Sequence, residues 1–183
     1  MGIGTGSVEA AVRLAILSPD DSERARQLVD LTVVETSRLP GVDVLDRGAA
    51  WERLQEEQLA QLGWVNGENA IVLGHRLAVD VFALLETASG GREAIGMVVF
   101  DVGTGVRLWD ATLPPGKIDE QVEVIVKGLS SAIHKRGALT EGVRAISFGS
   151  VRNVNLPRTE DSALDGVARM VERRLNTASN LVV

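Results

Sequence analysis

The chain has 183 residues, 45% of them hydrophobic, a formal net charge of −6 and no cysteine. That length suits one well-packed domain burying roughly 70% of its unfolded surface, and the acidic balance argues against nucleic acid, whose phosphates need a basic surface. The absence of cysteine excludes disulfides, thiolate metal sites and cysteine nucleophiles, and no run reaches the ~20 apolar residues of a transmembrane helix.

Residues 1–10 are glycine-rich and read as a flexible amino terminus, without the charged and apolar regions of a signal peptide. Gly2, Gly4 and Gly6 precede the first strand, whereas a dinucleotide-binding loop places its glycines between a strand and a helix. Val12 to Leu17 is apolar apart from Arg13, as expected of a buried parallel strand. Ser18-Pro19-Asp20-Asp21 supplies an expected helix N-cap, a proline at the first helical position and acids in the first turn. The helix is expected to run to about Leu39, with Leu28, Leu31, Val34 and Leu39 as its apolar positions, and to stop at Pro40-Gly41.

Val42 to Leu45 reads as a second strand, followed by a helix over Gly48 to Leu62 that buries Trp51, Leu54, Leu59 and Leu62. A short helix over Asn69 to Leu77 and a strand over Val79 to Leu85 come next. Ala94 to Asp101 and Val106 to Leu113, joined through Gly103-Thr104-Gly105, read as an antiparallel meander. Ile118 to Lys135 is a long amphipathic helix, with Gly137 placed as its C-cap. The expected fold is mixed α/β: a roughly five-stranded mixed sheet with a β-α-β-α-β start, an antiparallel meander and helices packed on the sheet.

The sequence then begins again. Val143 to Phe148, a polar loop, the positions Leu164, Val167, Met170 and Leu175, and Asn180 to Val183 repeat the pattern of the first strand, helix and strand. The four helix positions match Leu28, Leu31, Val34 and Leu39 at one constant offset. The expectation is therefore a complete domain over residues 11–137 and, over 138–183, the start of a second copy in a protein that continues. Such an isolated β-α-β unit is expected to pack on the first sheet or on a second molecule.

No constellation reads as a catalytic centre, a metal site or a cofactor site. His75 and His134 fall on different helices without ligand spacing. Glu52, Glu56 and Glu57 read as a solvated helix face beside Arg53. Asp46-Arg47 ends the second strand and opens a helix, a position for capping or for a partner surface. Ser18, Asp20, Asp21, Asp46 and Arg47 thus form the candidate ligand or partner surface, at the carboxyl ends of the first strands where open α/β sheets bind ligands.

Several stretches carry a family resemblance. Leu39 to Arg47, then Leu54-Gln55-Glu56-Glu57-Gln58, Ala78 to Ala83 and Phe100 to Gly105 together resemble motifs of the CsgG-like domain, shared with the curli secretion component and similar in plan to the amino-terminal domain of TolB. The resemblance covers about residues 11 to 136. It implies an anticodon-binding-domain-like α/β sheet, a periplasmic or cell-envelope location, and binding or assembly of proteins without catalysis. The chain has neither the lipidated cysteine nor the membrane-spanning hairpins of the curli component, which argues against a pore. The function expected from the sequence is a non-enzymatic interaction or assembly module, with a small-ligand or nucleotide-binding regulatory domain as the alternative.

Overall fold

The computed structural model describes residues 10–46, 48–50, 54, 67–87, 95–139, 170, 171 and 174. The described elements are β1 (Val12–Leu17), α1 (Glu23–Thr36), β2 (Val42–Val44), α2 (Gly67–Leu77), β3 (Val81–Thr87), β4 (Ile95–Asp101), β5 (Arg107–Leu113) and α3 (Ile118–Leu139). They form a mixed five-stranded sheet in the order β2-β1-β3-β4-β5. β2 and β3 flank β1 in parallel, β4 runs antiparallel to β3, and β5 runs antiparallel to β4. This is the mixed α/β architecture that the strand and helix pattern predicts.

Alternation along the strands divides the core in two. Leu14 and Ile16 of β1, with Val81, Ala83 and Leu85 of β3, meet Leu28 of α1 and Ile125 and Leu129 of α3 on one face. Ala15, Leu17, Phe82 and Leu84 point to the opposite face, against Leu73 and Leu77 of α2 and against Ala50 and Leu54. Two glycines let helices approach closely. A Cβ on Gly74 of α2 would stand 2.2 Å from a Val102 methyl, and one on Gly128 of α3 would stand 2.4 Å from the Trp109 indole.

Several boundaries differ from the sequence reading. Helix α1 is capped by Ser22 rather than Ser18: Ser22 is extended and its hydroxyl accepts from the Ala25 N–H. Asp20 brings the chain there by accepting from the Ser22 N–H at 2.9 Å and the Ser22 hydroxyl at 3.0 Å, a local alternative to helix. The helix stops at Thr36 with Ser37 as C-cap, ahead of Leu39. Its inward face is Ala25, Leu28, Val29, Thr32 and Thr36, whereas Leu31 and Val34, also apolar positions of the pattern, are 41% and 50% exposed.

Leu54 is buried but lies in a bend, so the expected helix over Gly48 to Leu62 does not run unbroken; Trp51, Leu59 and Leu62 lie outside the described residues. Gly137 is inside α3, which continues to Leu139. A glycine in a helix costs roughly 0.5–1 kcal/mol relative to alanine, too little by itself to end a helix.

Helix α2 ends without glycine. Ala78 takes a φ of 54°, its N–H donates to the His75 carbonyl at 3.1 Å, and the Val79 N–H donates to the Gly74 carbonyl at 3.0 Å. This pair of bonds is the Schellman arrangement, which usually places glycine where Ala78 stands.

Of the unit expected over 138–183, the described residues beyond α3 are Met170, Val171 and Arg174, all helical. The strand expected at Val143 to Phe148 lies outside the described residues.

Candidate functional site

The two ends of the sheet differ in what their polar groups do. At the carboxyl ends of β1 and β2, the residues singled out from sequence serve the turns that leave the strands. Ser18 is buried and its hydroxyl accepts from the Asp20 N–H at 3.2 Å. Asp20 is bonded to Ser22 as described, and Asp21 lies 3.7 Å from Arg26 in an exposed ion pair. Asp46 accepts from the Ala49 N–H at 3.2 Å, while its carbonyl accepts from Ala50. It therefore caps the segment after β2. Arg47 lies outside the described residues.

The opposite end carries a longer-range network that the sequence reading did not single out. Arg136, in the last turn of α3, donates through Nε to Asp101 Oδ1 at 3.0 Å and through NH2 to Asp80 Oδ1 at 3.1 Å. Asp80 Oδ2 accepts from the Arg13 N–H at 2.9 Å. Asp101 Oδ2 accepts from the Thr104 N–H and hydroxyl at 2.8 and 2.6 Å. All four carboxylate oxygens are thus engaged.

The network ties α3 to β3, to the β4–β5 turn and, through the Arg13 backbone, to β1. That turn is closed by the Gly105 N–H donating to the Asp101 carbonyl at 2.8 Å, with Gly105 at a φ of 70°, a conformation glycine adopts without penalty. Lys135, the residue before Arg136, is buried, and desolvation pushes its ammonium pKa down.

The remaining polar constellation is also a brace. Gln121 is almost fully buried; its amide donates to the Pro114 carbonyl at 2.9 Å and its oxygen accepts from Arg24 NH2 at 2.9 Å. Arg24 NH2 also reaches the Gly116 carbonyl, so this cluster joins α1 to the loop before α3. His75 and His134 are exposed on helices that cover opposite faces of the sheet, which keeps them from forming one site. Among the described residues no three His, Asp or Glu side chains are grouped to hold a metal ion. No helix among them is long and apolar enough to cross a membrane.

What the polar groups leave over is apolar. Helices α1 and α3 lie side by side on one face of the sheet, and a groove of about 480 Å³ opens between them on the solvent side. Leu31, Val122 and Val126 supply its apolar lining, and Glu35, Asp119 and Glu123 bring acid to it. Lys127 also lines it, 2.6 Å from Glu123. The lysine–carboxylate bond holds the Glu123 carboxyl below its usual range. Val34, one turn from Leu31, continues the exposed apolar strip on α1. Sequence periodicity marks Leu31 and Val34 as apolar positions of the helix, but spacing alone does not tell which side of a helix meets the sheet.

No family model and no curated protein matches the sequence. Two solved structures show a distant similarity to this chain. Lipoprotein GNA1162 from Neisseria meningitidis is 15% identical with a TM-score of 0.43, over 65% of this chain and 96% of that one. The hypothetical protein CT253 from Chlamydia trachomatis is 12% identical with a TM-score of 0.32, over 57% of this chain and 71% of that one. At these scores neither carries an argument about what this chain does.

Proposed function

We propose that this chain is a non-enzymatic protein-interaction or assembly module of a bacterial cell-envelope protein, built to make contacts rather than to carry out chemistry. The observation that carries this reading is the division of labour among the side chains. The described polar clusters cap helices or tie elements together, whereas Leu31 and Val34 stand exposed beside an apolar, acid-rimmed groove. Exposed apolar strips with a polar rim are characteristic of interaction surfaces. The envelope location and the kinship with CsgG-like and TolB amino-terminal domains rest on the motifs from Leu39 to Arg47 and from Phe100 to Gly105.

The competing reading is a small-ligand or nucleotide-binding regulatory domain that uses the carboxyl ends of β1 and β2. It is less favoured because Asp20 and Asp46 already accept backbone bonds that hold their own turns. A thermal-shift screen against nucleotides and common metabolites separates the two. The interaction-module reading predicts no reproducible stabilisation. A ligand that raises the melting temperature in the wild type, and fails to do so in Asp46→Ala, would establish the ligand-binding reading instead.

A further inference from the structure

We draw no further inference here: the strongest candidate, the groove between α1 and α3 lined by Leu31, Val122 and Val126, is an unpartnered apolar face whose rim acids Glu35 and Glu123 already pair with Arg38 and Lys127, and nothing in the structure shows what covers it.

Discussion

Leu28 and Leu31 stand three residues apart on α1 and look alike in sequence, yet one is fully buried under the sheet and the other is 41% exposed at the edge of a groove. The same contrast runs through the α1–α3 layer. Its inner side, with Leu28, Ile125 and Leu129, closes the core. Its outer side keeps Leu31 and Val34 in contact with water. Water contact with a leucine is unfavourable by roughly 25 cal/mol per Å² of apolar surface, so nothing in the stability of the sheet and its helices calls for these residues. The difference separates what holds the fold together from what is available for a partner.

Substitutions can break that comparison in order of size. Leu28→Ala is expected to cost about 2–5 kcal/mol, the usual range for truncating a fully buried leucine, measured by denaturant unfolding. Asp101→Ala removes the acceptor for Arg136 and for two Thr104 bonds at a nearly buried site, for which about 2–4 kcal/mol is expected. It is also expected to loosen the last turns of α3, seen as faster amide exchange there than at α1.

Gly74→Ala drives a methyl into Val102, and the resulting overpacking is expected to cost about 1–3 kcal/mol. Ala78→Gly relieves a left-handed alanine and is expected to stabilise by about 0.5–1 kcal/mol, the remainder after the added freedom of the unfolded chain. Leu31→Ala closes the series: stability should change by less than about 0.5 kcal/mol, read from the same unfolding curves. A loss at Leu31 as large as that at Leu28 would erase the distinction between the two faces.

The fold was legible because each strand announces its neighbours. Apolar runs at Val12–Leu17, broken only by Arg13, and at Val81–Leu85 mark parallel strands, and glycine turns mark the meander. The helix start was harder to place, since Ser18 and Ser22 both precede acids at capping distance and only the Asp20 bonds to Ser22 decide between them. The Asp80–Asp101–Arg136 network was not legible, because its members are 35 and 56 residues apart in sequence and meet only once the sheet has formed.

The exposed apolar residues were visible as part of a helical pattern, but their exposure was not. Helical period reports that Leu31 and Val34 share a side with Leu28, and tertiary packing then turns that broad stripe so that only one edge reaches the sheet. Ser18, Asp20, Asp21 and Asp46 lie at the expected end of the sheet, where Ser18, Asp20 and Asp46 bond to the turns that follow the strands and Asp21 pairs with Arg26.

Methyl NMR of the full chain across a concentration series tests the central claim most directly, that this domain's leftover surface exists for contacts. The account predicts that the methyls of Leu31, Val34 and Val126 shift progressively as concentration rises, while those of Val81 and Leu84 in the core stay fixed. Groove methyls that stay fixed at every concentration, while nucleotides or metabolites shift resonances around Ser18 and Asp46, would contradict it.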